Sequence, residues 1–343
     1  MPSSSARTTY REVVLHRRPE GAPVSDDFAV IEKPIPESAD GEFLVRNTYV
    51  SLDPGLRQRL SQVDSYVALI ELGAPLTTTT LGEVVASRVP WVPVGSYIVG
   101  FHTVAEFSLC RPGPLTRLVD PAATSSPSHH LSLLGATGLT AYFGMLDIGR
   151  PVAGETVLVS AAAGAVGSIA AQIAKIQGCK VIGIAGGAEK CALLTHEFGL
   201  DAAIDYRGLS CADLTRAIKA AAPDGIDVFF DNVGGIQLDA ALDCLNPGGR
   251  VPLCGLISQY NLTAPPPPLT NLFKLIAKSA RIEGFTVLTY ADRFPEALAD
   301  LARWEREGQI HFREQIEEGI EQAVPGFLKL FDGRNLGKMM LRL

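Results

Sequence analysis

The sequence lacks the features of several large classes of protein. Its six cysteines are scattered without a C-x-x-C pair, which argues against a disulfide framework and against a structural zinc site. Asp and Glu (37) outnumber Lys and Arg (30), so the chain has no basic excess for binding nucleic acid or an anionic membrane surface. No G-x-S-x-G motif occurs, so the nucleophile elbow of a serine hydrolase is excluded.

A bulky hydrophobic run that could cross a membrane is also missing. The most apolar stretch, residues 157–174, is rich in Gly, Ala and Ser, and is better explained as a strand followed by a helix. The N-terminal residues lack the apolar core of a secretory signal, and Glu12 argues against a transit peptide. We therefore expect a cytoplasmic protein with no membrane partner.

The 343 residues suggest two domains of different texture. Residues 1–125 are rich in Pro and Gly and contain short apolar or alternating runs at 43–52, 81–87 and 95–101, which predict a β-rich, barrel-like domain. The helical stretch and short final strand after residue 302 predict that residues 303–343 return to complete this first domain. Residues 126–302 form the second domain in this scheme.

The second domain alternates strands with helix-length segments. Apolar strands are predicted at 156–160, 180–185, 202–205, 226–231, 250–254 and 281–287. Near-continuous apolar strands of this kind belong to a parallel sheet that is covered on both faces. The sequence therefore predicts an α/β fold with a doubly wound parallel sheet.

The stretch SAAAGAVGSIAAQIAK (160–175) resembles a dinucleotide fingerprint with one glycine missing. Gly164 and Gly167 occupy the second and third glycine positions, with Ala165 and Val166 between them, while Ala162 replaces the first glycine. The stretch follows a predicted strand and opens a predicted helix to about residue 177, which is where a pyrophosphate sits on a helix N-terminus. We therefore predict a cofactor turn here.

The end of the next strand indicates which dinucleotide binds. An NAD-binding fold usually has an acid about 20 residues past the glycines, to accept a hydrogen bond from the ribose 2′-hydroxyl. Here that strand ends before Gly186, with Lys190 shortly after, and Glu189 is best explained by its place at a helix start. Because Lys190 could pair with a 2′-phosphate, NADPH is favoured. Tyr206 either contacts the same end of the cofactor or is a half-buried surface residue.

Two further segments leave the carboxyl edge of the predicted sheet, where a ligand lies in such folds. They are FDNVGG (230–235) and LCGLISQY (253–260). Their glycines would let the main chain approach a ribose or the nicotinamide ring, or they could serve only the turns.

These motifs in this order resemble the zinc-independent medium-chain dehydrogenase/reductases, and in particular the branch of prostaglandin, alkenal double-bond and curcumin reductases. The resemblance is dense over residues 133–261, returns at 335–338 within the motif GRNLGK, and is looser over 47–60. It implies a Rossmann domain with a discontinuous β-rich GroES-like domain, and a homodimer. It also implies NADPH-dependent reduction of the carbon–carbon double bond of a small-molecule α,β-unsaturated ketone or aldehyde.

The resemblance also assigns residues by motif position. Lys190 and Tyr206 would hold the 2′-phosphate end of NADPH, and Asn335 would reach the cofactor from the returning tail. The nicotinamide side would be lined by residues of the two strand-end loops, namely Asn232, Cys254, Gly255, Ile257, Ser258 and Tyr260. Tyr260 matches a tyrosine proposed in some relatives as proton donor or as partner of the nicotinamide ribose, and Tyr49 matches a substrate-pocket tyrosine of the plant enzymes.

The implied chemistry is compatible with the residues present. Hydride goes to the β-carbon, an enolate forms, and the α-carbon is protonated. The sequence shows no Cys/His set to hold zinc, so hydrogen-bond donors must stabilise the oxyanion. Tyr260 and Tyr49 are the catalytic candidates, because a tyrosine with the usual pKa of about 10 is protonated at neutral pH. Solvent is an equally open source of the proton. We interpret His102, His129 and His130 as ordinary core or loop residues.

Two other functions stay open from the sequence. One is an NADPH quinone reductase or biosynthetic enoyl reductase of the same superfamily, and the other is a non-catalytic dinucleotide-binding module. The first domain departs from the family pattern, since Gly55 in DPGLR replaces an aromatic residue. We therefore expect a pocket that is wider or differently shaped, and cofactor use is better supported than substrate identity.

Overall fold

The structure, a computed structural model, describes residues 8–61 and 68–343 in two compact units. The first, here called the β unit, comprises Met1–Leu131, Gln315–Arg334 and Met339–Leu343, and the second, the α/β unit, comprises Ser132–Glu314 and Asn335–Lys338. Trp304 and Ile310 lie in the core of the α/β unit.

Strands and helices are named here in chain order. The strands are β1 (Thr9–Leu15), β2 (Phe28–Pro34), β3 (Phe43–Ser51), β4 (Thr77–Ser87), β5 (Tyr97–Thr103), β6 (Phe107–Cys110), β7 (Arg117–Val119), β8 (Thr156–Val159), β9 (Lys180–Ala185), β10 (Ala202–Asp205), β11 (Ile226–Phe230), β12 (Leu245–Leu253), β13 (Arg281–Gly284), β14 (Glu314–Glu318) and β15 (Lys338–Arg342). The α-helices are α1 (Leu56–Arg59), α2 (Ala136–Phe143), α3 (Ala165–Ile176), α4 (Ala188–His196), α5 (Cys211–Ala221), α6 (Gly235–Cys244), α7 (Lys274–Ala277), α8 (Phe294–Arg306) and α9 (Ala323–Leu328). A π-helical segment, Gly144–Gly149, extends α2.

A parallel sheet forms the centre of the α/β unit. Its strand order is β10-β9-β8-β11-β12-β13, and each neighbouring pair is parallel. This order, which reverses direction on either side of β8, confirms the predicted doubly wound sheet. Strand β12 begins earlier than the predicted residue 250, and β13 ends before the predicted residue 287.

The two faces of this sheet are buried against different helices. Val157 and Val159 of β8 pack in one apolar cluster with α3 and α8, while Leu158 packs in the other with α5 and α6. Full burial of one such side chain is worth about 1.5–3 kcal/mol. Because successive side chains of a strand point to opposite faces, an all-apolar strand requires helices on both sides.

The β unit is built on antiparallel pairing. Its main sheet has the order β14-β15-β3-β4-β5-β7, with β6 also paired to β3, and β1 pairs with β2 separately. The C-terminal strand β15 lies antiparallel to β3, with Arg342 opposite Tyr49. The four consecutive threonines at 77–80 form the first part of β4, where Thr78 and Thr80 are buried.

A buried polar network crosses this sheet. Thr80 Oγ1 donates to Asn47 Oδ1 at 2.9 Å and lies 2.9 Å from His102 Nδ1. Since the threonine hydroxyl already donates its proton, it can only accept from His102, so Nδ1 carries the histidine proton. Asn47 Nδ2 donates onward to Ala105 O and Ser108 Oγ, each at 2.8 Å. The other ring nitrogen, Nε2, is buried without a hydrogen-bond partner in the part of the chain that the structure describes, which disfavours a second proton on the ring.

This histidine makes the stability of the β unit depend on pH. Burial lowers the pKa of His102 from 6.5 to about 4 in the folded protein. The group is neutral in both states above pH 6.5, but between 6.5 and 4 only the unfolded chain takes up the proton. The free energy of unfolding should therefore fall by about 3 kcal/mol across that interval. Denaturant melts of the wild type and of His102→Asn, at pH 7.5 and pH 4.5, measure this, and an equal loss in both proteins would contradict it.

Candidate dinucleotide-binding site

The turn between β8 and α3 forms a tight cradle. Ala161 has a φ of +47°, and its carbonyl accepts the N–H of Gly164 at 2.8 Å. A Cβ on Gly167 would lie 2.4 Å from the oxygen of Ala161, so only glycine fits there, and a Cβ on Gly164 would lie 3.0 Å from the same oxygen. Gly164 caps α3, whose first residues are Ala165 and Val166. The unpaired N–H groups of a helix start favour an anion at this point.

The alanine in place of the first fingerprint glycine has a compensating glycine on the neighbouring strand. Ala162 is fully buried, and its N–H donates to Ile184 O at 3.0 Å. A Cβ on Gly183 would lie 2.9 Å from the Ala162 methyl carbon and 2.6 Å from Leu194 Cδ1. Gly183 thus leaves the space that the Ala162 methyl fills, and the turn keeps its shape.

The returning tail is joined to this turn. The N–H of Gly337 donates to Ala163 O at 3.0 Å, and Gly337 forms a parallel bridge with Gly164. Gly337 has a φ of +67°, and a Cβ there would lie 2.0 Å from Arg313 O. Asn335, two residues upstream, directs its Nδ2 to Gly337 O at 3.5 Å. The structure therefore brings the segment of Asn335 to the turn between β8 and α3, which is called the phosphate turn below. Sequence reasoning missed Gly337, although this residue stands in the GRNLGK motif.

The tips of β9 and β10 form a second part of the site. A Cβ on Gly186 would lie 3.1 Å from both Tyr206 Cε1 and Arg207 Nε, so both side chains lie across this glycine. Tyr206 is 37% exposed. Lys190 is half-buried in the first turn of α4, which begins just after Gly187. Sequence reasoning did not single out Arg207, although it directly follows Tyr206.

A carboxylate is also present at this tip, although none stands at the end of β9 itself. Asp205, the last residue of β10, accepts the N–H of Gly187 at 2.9 Å and the N–H of Arg207 at 3.0 Å. These two hydrogen bonds, that from Gly187 first, lower the pKa of Asp205. The parallel pairing of β10 with β9 brings this ionised acid beside the end of β9, where the local sequence has no carboxylate.

The ends of β8 and β11 are tied together by a buried network. Ser160 Oγ donates to Asp231 Oδ1 at 2.8 Å and accepts the N–H of Asn232 at 2.7 Å, while Asn232 Nδ2 donates to Ser160 O at 2.7 Å. Asp231 also accepts the N–H groups of Val233 and Gly234, each at 3.0 Å. Burial raises the pKa of Asp231, and these hydrogen bonds oppose the rise. Sequence reasoning missed Ser160 and Asp231, whose signal was a polar residue ending an apolar strand.

The loop after β12 packs on the loop after β11. Ile257 donates its N–H to Asn232 O at 3.3 Å, and Ser258 Oγ donates to Val233 O at 2.6 Å. A Cβ on Gly235 would lie 3.0 Å from Ser258 Oγ. The predicted residues Asn232, Ile257 and Ser258 are therefore brought together at the carboxyl edge of the sheet.

Tyr260 closes this loop on itself. Its hydroxyl oxygen accepts the N–H of Leu256 at 3.3 Å. A Cβ on Gly255 would lie 3.1 Å from the same oxygen and 3.4 Å from Asn232 O, so glycine lets the hydroxyl approach the backbone. Cys254, at the start of the loop, has a pKa raised to about 12 by burial and by the nearby Asp231 charge. Its thiol is therefore protonated at neutral pH and is not a nucleophile.

The other predicted catalytic residue, Tyr49, belongs to the β unit. It lies on β3, is half-buried, and packs beside Leu81 and Met340. The pKa of Arg342, on the paired strand β15, is raised first by Glu318 and then by a hydrogen bond with the Tyr49 side chain. Tyr49 and Tyr260 thus stand in different units of the chain.

The described residues hold no group of three or more His, Cys, Asp or Glu side chains that could bind a metal ion. In residues 8–61 and 68–343, no helix combines the length and the apolar character needed to cross a membrane. Each of the six cysteines is a free thiol.

The geometry of the α/β unit defines a class of protein. A glycine turn leading into a helix N-terminus, at the point where the strand order of a doubly wound sheet reverses, is built to hold the pyrophosphate of a dinucleotide. The close approaches at Gly164, Gly167 and Gly186 show that a cradle of backbone is present that side chains would fill. The chain is therefore a dinucleotide-binding protein of the Rossmann type.

Comparison with known proteins narrows this class. Residues 11–118 match the family described as the N-terminal domain of oxidoreductases, and residues 165–303 match the family described as zinc-binding dehydrogenases. The NADPH-dependent curcumin reductase of Escherichia coli (strain K12) is 38% identical, over 97% of this chain and 96% of that protein. The NADP(+)-dependent 2-alkenal reductase of Nicotiana tabacum is 37% identical, over 96% of each.

A solved structure agrees with these relatives. The crystal structure of CurA from Vibrio vulnificus in complex with NADPH has a TM-score of 0.91 and 38% identity, over 97% of this chain and 98% of that one. The chain belongs to the zinc-independent medium-chain dehydrogenase/reductases, as the sequence motifs predicted.

Proposed function

We propose that this protein is an NADPH-dependent reductase of the carbon–carbon double bond of α,β-unsaturated ketones or aldehydes. The observation that carries the proposal is the likeness, over 96% or more of the chain, to a curcumin reductase and a 2-alkenal reductase. The similarity to these two reductases extends over both units of the chain, so it is not confined to the turn that would hold the cofactor.

The residues of the α/β unit fit this cofactor. The phosphate turn from Ala162 to Gly167 would receive the pyrophosphate, and Lys190 and Tyr206 would receive the 2′-phosphate end. The loop that contains Cys254, Gly255 and Tyr260 would lie on the nicotinamide side of the cofactor, together with Asn232. Asn335 would reach the cofactor from the returning tail. The ties between Ser160, Asp231 and Asn232 hold this half of the site rigid.

The chain must then stabilise charge and deliver a proton. When bound, NADPH supplies a hydride for the β-carbon of the substrate. Negative charge then develops on the carbonyl oxygen of the substrate, where a tyrosine hydroxyl can donate a hydrogen bond. The Tyr260 oxygen accepts from Leu256, which orients the phenol and directs its own proton away from that N–H. We propose Tyr260 as the group that protonates the α-carbon, and Tyr49 as a hydroxyl donor to the substrate.

One assay tests the function directly. NADPH consumption is followed by absorbance with a panel of aryl enones, alkenals, quinones and saturated aldehydes, and the panel is repeated with NADH. We expect turnover of the enones and alkenals with NADPH, and product analysis should show a saturated bond beside an intact carbonyl. Consumption with quinones alone would assign the chain to quinone reduction, and consumption with no acceptor would favour a binding module.

We also propose the domain roles, the location and the assembly that the sequence predicted. The substrate domain would comprise residues 1–125 completed by 303–343, and the dinucleotide-binding domain residues 126–302. The free cysteine thiols are compatible with a cytoplasmic location, because that compartment is reducing.

The surface around β13 supports a homodimer. Strand β13 is the last strand of its sheet in the described residues, and it pairs on one side with β12. In the segment that precedes β13 in the chain, Phe273 is 71% exposed and Ile276 is 75% exposed. An unpaired strand edge with adjacent apolar side chains is a common site of association between copies.

Phe273→Asp should therefore reduce the mass of the protein in solution. The wild type is expected at twice the 36.5 kDa of one chain by light scattering coupled to gel filtration, and the variant at the mass of one chain. The added charge would be buried in a dimer interface but is solvated in a monomer, so only association suffers. The exposed Leu118 of β7, in the β unit, provides the control variant Leu118→Asp. Equal masses for all three proteins would contradict the proposed surface.

A further inference from the structure

We propose that Arg207 binds the 2′-phosphate of NADPH and determines the preference for NADPH over NADH, which rests on the proposed function. A Cβ on Gly187 would lie 2.9 Å from Arg207 Nη1, and one on Gly186 would lie 3.1 Å from its Nε. The guanidinium therefore lies across the two glycines at the tip of β9. That tip is where the ribose of the adenosine half lies in doubly wound dinucleotide folds.

The charges at this tip leave the guanidinium available to an anion. Arg207 is exposed, and in the described residues its guanidinium acts on the Asp205 carboxylate through charge, while the hydrogen bond between the two residues comes from the Arg207 backbone. Asp205 is close in sequence, but its Oδ1 accepts the backbone N–H groups of Gly187 and Arg207 instead. The side-chain fork of Arg207 therefore keeps its donors for a ligand.

The Asp205 carboxylate explains why a cation besides Lys190 is needed at this tip. The charge of Asp205, whose pKa is lowered, lies beside the position expected for the 2′-phosphate and would repel it. Lys190 and Glu189 stand in the first turn of α4 with opposite charges. With Arg207, two positive and two negative side chains at this tip give a net charge of zero before the cofactor binds. Without Arg207, their net charge is negative. A guanidinium also matches phosphate by two parallel hydrogen bonds, which a lysine does not.

The experiment uses two small ligands that differ only in the phosphate. Adenosine 2′,5′-bisphosphate and adenosine 5′-monophosphate are titrated by calorimetry into the full-length wild type, Arg207→Ala and Arg207→Lys. We expect Arg207→Ala to weaken the bisphosphate about 10- to 100-fold and to leave the monophosphate unchanged. Arg207→Lys should recover part of the loss, because the charge remains but the fork does not.

A matched variant controls for net charge. Arg216→Ala removes an exposed arginine from α5 of the same unit, where it pairs with Asp213, and should leave both affinities unchanged. Equal weakening of both ligands by Arg207→Ala would mean that Arg207 acts on the adenine or on the fold, and no weakening would mean that it has no role. Either result overturns the proposal. If the wild type itself does not prefer the bisphosphate, the NADPH dependence of the proposed function fails first.

Discussion

Gly167→Ala is expected to abolish NADPH binding and to destabilise the α/β unit. The new Cβ would lie 2.4 Å from the oxygen of Ala161 and 2.9 Å from its carbonyl carbon. Both are backbone atoms of a turn with positive φ, so α3 must move away from the phosphate turn. Overpacking of this kind costs about 3 kcal/mol. Binding is measured by the fluorescence of NADPH, and stability by thermal denaturation without ligand.

Two further glycines make this result interpretable. Gly113→Ala, in the loop between β6 and β7, would place its Cβ 3.9 Å from Thr116 Oγ1, which is an ordinary contact, and should change neither stability nor binding. Gly164→Ala is milder than Gly167→Ala, because its Cβ would lie 3.0 Å from the Ala161 oxygen. We expect that variant to fold and to bind NADPH more weakly than the wild type. Full binding by both turn variants would show that the cofactor does not lie on this turn.

Tyr260→Phe is expected to lower kcat for an enone by about 100-fold, with little change in the dissociation constant of NADPH. A positioned general acid contributes about 10²- to 10⁴-fold to a proton transfer, and the variant removes only the hydroxyl. The expected signature is a loss in kcat and in kcat/KM together, since the proton is transferred after the substrate binds. Steady-state kinetics with NADPH and an aryl enone measure it, beside direct titration of NADPH.

The same variant separates three roles of the tyrosine. Wild-type kcat would show that solvent supplies the proton. Weaker NADPH binding at unchanged kcat would show that the hydroxyl only holds the loop, through the N–H of Leu256. Tyr10→Phe, which removes a hydroxyl bonded to Glu12 in the β unit, is the control and should not alter the kinetics.

The fold of the α/β unit was predictable from the sequence because the patterns that indicate it are local. The apolar strands, the helices between them and the glycines of the phosphate turn each occupy a short window of sequence, and their order is sufficient for a doubly wound sheet. The family resemblance rested on the same windows. The alanine at position 162 looked like a defect in this pattern, and the structure explains it by Gly183, twenty-one residues away.

The residues that sequence reasoning missed are brought to the site by distant parts of the chain. Gly337 reaches the phosphate turn only because the tail returns to pair with Gly164. Asp205 and Arg207 lie at the tip of β9 only because β10 is its parallel neighbour. Gly337 stands in the GRNLGK motif and Arg207 follows Tyr206, but neither local position reveals a role at the site, since that role depends on pairing between segments that are far apart.

The sequence by itself determined the two-part composition of the chain, the doubly wound sheet, the cofactor turn and the family. These follow from hydrophobic periodicity and glycine spacing, which act over a few residues. Only the tertiary structure decided which charges meet the adenosine end, which backbone approaches require glycine, and how Tyr260 is held against its own loop. Those features are distances between atoms of separate segments, and packing of the whole unit sets them.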